Sequence, residues 1–331
     1  MSYLTFALVI ALTAVLLAEF VNGWTDAPNV IATVVSTGGL SPRVAIGMAV
    51  VMNTLGAMAG TEVAATVGKG IVAPVALTLP AITAAMLSII AWGVFAARAG
   101  LPVSKSHALL AGLAGAALQG GGWQALHWDG WAKVGVGLVC SLGLGFAGAF
   151  LIGKLIIALA ARSSPTRARK RFDYLQIAAA AFMAFNHGLN DGQKFMGVFA
   201  LTMMAGGAMQ VFEIPIWVVI ICALTMGIGT SCGGWRIIQT IGMKLTRLTA
   251  WQGFAAQLSA SLTIFGASHF GIPLSTTHTI TTAIVGATAS RRAADIRWGV
   301  LRRVVLAWIV TFPVCAALAY VAAFAANHQF R

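Results

Sequence analysis

Two aspartates stand where an apolar chain has little reason to carry charge. Asp26, in "NGWTD" (22–26), and Asp191, in "HGLND" (187–191), each adjoin a long apolar run rather than a basic connector. A charge at membrane depth costs upwards of about 2.5 kcal/mol, so each needs a compensating purpose. Asn22, Thr25 and Asn29 surround the first, and Asn190 and Gln193 flank the second. Amide and hydroxyl oxygens beside a carboxylate are the ligands that a hard cation such as Na⁺ prefers, and the carboxylate can alternatively take up a proton. A second chemistry lies in "GLPVSKSH" (100–107) and "GIPLSTTH" (271–278). Ser104 and Ser106 in one, and Ser275, Thr276 and Thr277 in the other, follow a Gly-x-Pro break and precede an apolar run, which is the place of a helix N-terminus. Backbone N–H groups, the positive end of the helix dipole and hydroxyl donors make such ends a seat for a tetrahedral oxyanion. His107 and His278 follow, best suited to structural hydrogen bonding.

The elements that must position these groups are membrane elements. Of 331 residues 59% are hydrophobic and only 9% charged, against about 25% charged in a soluble domain. Charge-free stretches at 2–18, 44–61, 70–97, 106–128, 134–153, 195–212, 214–235, 248–290 and 304–330 mostly reach the roughly 20 residues that span a bilayer. The expected fold is an all-α integral membrane protein of about ten membrane elements, with 2–18 as its first helix rather than a signal peptide. The net charge of +13 does not point to nucleic acid, because the basic residues crowd short connectors instead of one amphipathic face. Arg162, Arg167, Arg169, Lys170 and Arg171 fill one connector, and Arg291, Arg292, Arg297, Arg302 and Arg303 another. Both are expected on the cytoplasmic side. Cys140, Cys222, Cys232 and Cys315 are scattered without C-x-x-C pairing, so no disulfide framework, zinc site or other resident cofactor is expected.

The chain reads as two related halves: a first transmembrane repeat at 1–161, a basic linker at 162–172 and a second repeat at 173–331. The Asp motif, a "TVG" (66–68) or "TIG" (240–242) echo and the Ser/Thr–His segment occur in that order in both halves. Gly- and Pro-broken apolar segments at corresponding places in two repeats mark a transporter's binding site, since a broken helix in hydrocarbon is tolerated only where it lines a cavity or is buried in protein. Repeats with an odd number of crossings each would be inverted. A dianion cannot settle beside two carboxylates unless a cation or proton offsets the repulsion, which makes coupled symport by alternating access the expected mechanism. A sulfate permease of the same fold and a passive anion channel are the alternatives. A membrane-bound enzyme fits the symmetrical duplication less well. Glu19 and Glu62 lack counterparts in the other half and read equally as ion-pair partners or pathway residues.

"NGWTDAPNVIATVVSTGGLSPR", "NHGLNDGQKFMGV", "GLPVSKSH" and "GIPLSTTHT" together resemble the PiT inorganic phosphate transporters, a resemblance running from about residue 19 to residue 290. It implies an inverted-repeat fold whose broken helices meet at a central site, and uptake of phosphate with H⁺ or Na⁺ across the cytoplasmic membrane. Asp26, Asn29, Asn190, Asp191 and Gln193 match its signature motifs. The resemblance puts Ser104, Ser106, Ser275, Thr276 and Thr277 on the phosphate; with the residue reading above, the expected phosphate set adds Asn29 and Gln193, and the expected cation- or proton-coupling set is Asp26, Asn22, Thr25, Asn190 and Asp191. Two positions depart from the pattern: Thr25 replaces the usual Asn, which favours H⁺ over Na⁺, and Lys105 replaces a small polar residue. A divalent-metal phosphate complex as cargo and a homodimer as assembly stay open.

Overall fold

With no water in the bilayer core, backbone groups must be satisfied within the protein, and an apolar chain achieves this locally as helix. The computed structural model describes residues 3–160 and 165–329, and every regular element among them is helical. The first half comprises α1 (Tyr3–Ser36), α2 (Pro42–Ala57), α3 (Glu62–Gly70), α4 (Leu79–Arg98), α5 (Lys105–Gly121) and α6 (Trp128–Ala160). The second comprises α7 (Pro165–His187), a π-helical turn Gly188–Gly192, α8 (Gln193–Ala205), α9 (Ile216–Ser231), α10 (Trp235–Ile238) running on as a π-turn to Lys244, α11 (Ala250–His269), α12 (Thr276–Arg291) and α13 (Trp298–Gln329). Four helices, α1, α4, α6 and α13, are long and apolar enough to cross a bilayer singly. The pairs α2–α3 and α9–α10 can cross as bent units, with bends of 68° and 69°. This is a multi-pass membrane protein. Residues 162–164 of the basic linker lie outside the described residues, and 165–172 form the first turns of α7.

Two surface grooves fix the direction of each half. Leu4 and Ala7 of α1 lie beside Pro74–Pro80, which lead into α4, and beside Met204 and Ala205 at the end of α8. At the other face, Thr37 after α1 lies with Ile156 near the end of α6, Arg169 and Phe172 at the start of α7, Trp251 at the start of α11 and Arg291 at the end of α12. α1 therefore runs from the first face to the second, while α7 and α8 run back. The end of α5 returns to the start of α4, where Gly120 packs on Ala76, so α4 and α5 form a hairpin anchored at the first face. The α11–α12 hairpin is anchored at the second. α6 ends at the second face, and α13 returns to the first, where Asn327 donates to Gln119. Each half thus begins at one face and ends at the other, in opposite senses, and the repeats are inverted. Helix contacts come in exchange-related couples: α6 with α12 and α13 with α5, α1 with α9 and α2 with α7.

Both hairpin tips turn at a glycine whose backbone only glycine adopts without strain, Gly100 at φ 68° and Gly271 at φ 63°. Gly23 and Gly188 matter for a different reason. A Cβ on Gly23 would overlap the Met226 carbonyl, and one on Gly188 the Asn53 carbonyl, so these glycines let α1 press on α9 and the π-turn press on α2. The exposed basic residues Arg169, Lys170, Arg171, Arg291, Arg292 and Arg297 cluster on the second face.

Candidate anion and cation site

The second half breaks its helix at the Asp motif. Gly188–Gly192 is a single π-turn between α7 and α8, and it carries Asn190 and Asp191 inward. The first half carries Pro28 inside α1, two residues after Asp26, where the missing N–H frees one backbone carbonyl. These interruptions meet the two hairpin tips. Ser104 caps α5 by accepting from His107 N at 3.1 Å, and Ser275 caps α12 by accepting from His278 N at 3.2 Å. The N–H groups of Lys105, Ser106, Thr276 and Thr277, at the first positions of the two helices, have no intrahelical acceptor. The two helix N-termini are directed toward each other, each hairpin tip touching the other. Ser106 Oγ donates to Leu274 O at 3.0 Å, and Thr277 Oγ1 donates to Val103 O at 3.5 Å.

Aligned on their motifs, the halves place Asn22 opposite His187, Thr25 opposite Asn190, Asn29 opposite Lys194, Lys105 opposite Thr276 and Ser106 opposite Thr277. The contacts obey the same exchange. Asn29 Nδ2 donates to Thr277 Oγ1 at 2.8 Å, and its counterpart Lys194 donates to Ser106 Oγ at 2.5 Å. Lys105 Nζ lies 3.7 Å from Asp26 Oδ1, and its counterpart Thr276 donates to Asp191 Oδ2 at 2.9 Å. Lys194 also pairs closely with Asp191 Oδ1 and donates to Leu274 O at 2.8 Å, so the three protons of its ammonium all have acceptors. His187 Nε2 stands 3.3 Å from Asp191 Oδ2, while its Nδ1 contacts Asn53 Oδ1 at 3.1 Å. One ligand atom each from Asp26, His187 and Asp191 lie within 4.8 Å of one another. Asp26, Lys105, Asp191 and Lys194 are all at most 2% exposed. Two carboxylates and two ammonium groups buried together sum to zero charge, the condition under which buried ions are tolerable.

The remaining predicted residues lie at the edge of this centre. Asn190 Nδ2 donates to Ser268 Oγ at 2.8 Å and to Ile272 O, holding the π-turn to the second hairpin. Gln193 Oε1 accepts from Val63 N at 2.8 Å at the start of α3. Asn22 donates to Glu19 Oε2 at 3.2 Å, which makes the uncoupled-looking Glu19 a neighbour of the first Asp motif. Thr25 spends its hydroxyl on Val21 O of its own helix. Unengaged, fully buried oxygens remain at Asp26 Oδ2, Asn22 Oδ1, Asn29 Oδ1 and Asn190 Oδ1. The rings of His107 and His278 meet at a tilt with centroids 4.7 Å apart, Trp308 lies 3.9 Å from His278, and His278 Nδ1 contacts Ser275 Oγ at 2.5 Å, a packing and hydrogen-bonding role. Lys194 is the residue that sequence reasoning missed. Aligning the two halves position by position, rather than motif by motif, would have exposed it as a second lysine exchanged for a neutral residue.

The sequence profile of the Phosphate transporter family matches this chain twice, over residues 22–165 and 156–319. A probable low-affinity inorganic phosphate transporter of Rhizobium meliloti (strain 1021) is 40% identical over 98% of both chains. Another of that description from Bacillus subtilis (strain 168) is 38% identical over 94% of this chain and 95% of its own length. A solved structure described as the sodium-dependent phosphate transporter shares the fold, with a TM-score of 0.87 at 23% identity over 97% of this chain and 99% of that one.

Proposed function

The chain belongs to the Phosphate transporter family, and from that premise we propose that it is a secondary active symporter importing inorganic phosphate with H⁺ or Na⁺ by alternating access. The observation that carries this reading is the meeting of two inverted hairpin tips, each a helix N-terminus with hydroxyls, beside the buried Asp26 and Asp191. Paired helix starts suit a tetrahedral anion, and their free N–H groups and hydroxyls match its four oxygens. The hydroxyls of Ser106 and Thr277 donate to the backbone of the opposite tip. Phosphate arriving between the tips exchanges these bonds for bonds to its own oxygens. Ser104, Ser275 and Thr276 complete the hydroxyl set, and Asn29 and Gln193 supply amide donors.

A protonated phosphate oxygen can donate to Asp26 or Asp191, whereas sulfate at neutral pH has no proton to give, so the retained carboxylates favour phosphate. The coupling set is Asp26, Asn22, Thr25, Asn190 and Asp191. Opposite senses of the two repeats support rocking of one half against the other, the usual means by which such folds expose one site to alternate sides. The concentration of exposed basic residues on the second face supports an orientation in the cytoplasmic membrane with that face inside.

The test is uptake of radiolabelled phosphate by the purified protein in liposomes, with pH and Na⁺ gradients imposed separately and unlabelled sulfate as competitor. Accumulation driven by either gradient and resistant to sulfate is expected. Correctly inserted protein that accumulates nothing, or that yields to sulfate as readily as to phosphate, would overturn the proposal.

A further inference from the structure

Around the two hairpin tips the halves exchange partners in position but not in charge. At each of two symmetry-related pairs of positions, one half carries a lysine and the other a neutral hydrogen-bonding residue: Lys105 against Thr276, and Lys194 against Asn29. The exceptions are distributed so that each aspartate has one ammonium, Lys105 on Asp26 and Lys194 on Asp191. Neither lysine reaches water, both being at most 2% exposed. Lys194 Nζ sits among a carboxylate oxygen, a hydroxyl oxygen and a main-chain carbonyl oxygen, from Asp191, Ser106 and Leu274. Those are the hard oxygen ligands an alkali cation takes.

We propose that Lys105 and Lys194 are resident counter-cations of Asp26 and Asp191, occupying the place of a bound Na⁺, so that the phosphate transport proposed above proceeds without Na⁺. The inference rests on that functional reading and extends it to ion choice. Charge decides the matter. With Thr and Asn at these positions, two carboxylates would stand uncompensated where an anion must enter, and two free cations would have to bind first. With both lysines present the four charges cancel before any ion arrives. Tethering also removes the need to capture and release a Na⁺ in each cycle and leaves the proton as the coupling ion. Lys194 keeps hold of the Leu274 carbonyl, and through it the second hairpin tip, whatever the external salt.

The experiment compares wild-type protein with the double variant Lys105→Thr, Lys194→Asn, in which each half is given the residue its partner half already carries. Proteoliposomes are assayed for phosphate counterflow, without any ion gradient, and for uptake at fixed pH gradient in Na⁺, K⁺ or choline. Wild-type rates are expected to agree within about twofold among the three cations. In choline the double variant is expected to lose about a hundredfold or more, the loss typical of a buried charge stripped of its partner, and to recover at least about tenfold in Na⁺. Wild-type transport stimulated about tenfold or more by Na⁺ overturns the proposal, as does a double variant active in choline. If the variant does not fold, thermal unfolding of wild-type protein in Na⁺ against choline decides: a Na⁺-specific rise in melting temperature reports a bound Na⁺ and refutes it, and no rise upholds it. Absence of wild-type counterflow in every cation would instead refute phosphate transport itself, and the same unfolding comparison would still judge the lysines.

Discussion

Asp191→Asn is the perturbation that most directly tests the arrangement at the π-turn. The carboxylate pairs with Lys194, accepts from Thr276 at 2.9 Å and stands 3.3 Å from His187. Asparagine keeps the size and one acceptor oxygen, so the change is chiefly one of charge. It strips the Lys194 ammonium, 1% exposed, of its carboxylate and leaves it neutral acceptors alone, Ser106, the Leu274 carbonyl and one amide oxygen. Breaking a buried pair from one side costs about 3–5 kcal/mol. These retained neutral acceptors hold the expected value to the low end, about 3 kcal/mol. Adding Lys194→Asn removes the stranded charge, so the double variant should be no less stable than Asp191→Asn alone, a strongly non-additive outcome. Unfolding of the detergent-purified proteins, followed by tryptophan fluorescence, measures both. An Asp191→Asn protein within about 0.5 kcal/mol of the parent, or a double variant weakened by the sum of its parts, would refute the reasoning.

Replacing Ser106 by Ala together with Thr277 by Val removes both bonds between the hairpin tips, at about 0.5–1.5 kcal/mol each, and phosphate counterflow should fall with them; counterflow at the parental rate would take these hydroxyls out of the anion site. Gly188→Ala forces a methyl group against the Asn53 carbonyl, and overpacking of about 1–3 kcal/mol should lower the melting temperature. An unchanged melt would mean that α2 and the π-turn do not touch. In a background with the four cysteines replaced by Ser, Cys introduced at Val75, which is 96% exposed on the first face, should react with a membrane-impermeant thiol reagent added outside intact cells. Cys introduced at Arg171 should not. Labelling of both from one side would contradict the inverted arrangement of the halves.

The motifs that carry the site were legible because each occurs twice. "GLPVSKSH" and "GIPLSTTH" fall at the two hairpin tips, and Gly100 and Gly271 end α4 and α11 as a Gly-x-Pro break suggests. The membrane character and helical class follow from charge-free stretches, whose only satisfactory structure in hydrocarbon is helical. Direction was not legible from periodicity, because both arms of each hairpin look like ordinary spans; only the closure of α5 on the start of α4 shows the return. Ion pairing was not legible either. Lys105 meets Asp26 from 79 residues away, a partnership set by the arrangement of three helices rather than by spacing in the chain. Lys194 lies three residues after Asp191, a spacing that on an exposed helix would be an ordinary surface pair. Burial changes its meaning. The described part of the basic connector, 165–172, is the opening of α7, which its composition did not distinguish from a loop.

The reciprocal bonds between the tips have a kinetic consequence. Ser106 hooks the residue before Ser275, and Thr277 hooks the residue before Ser104, so the two hairpins form a clasp with two latches facing in opposite directions. Displacing either hairpin strains both latches at once. Separating the hairpins must therefore give up both bonds together, at about 0.5–1.5 kcal/mol each, so this part of the barrier belongs to the pair rather than to either tip.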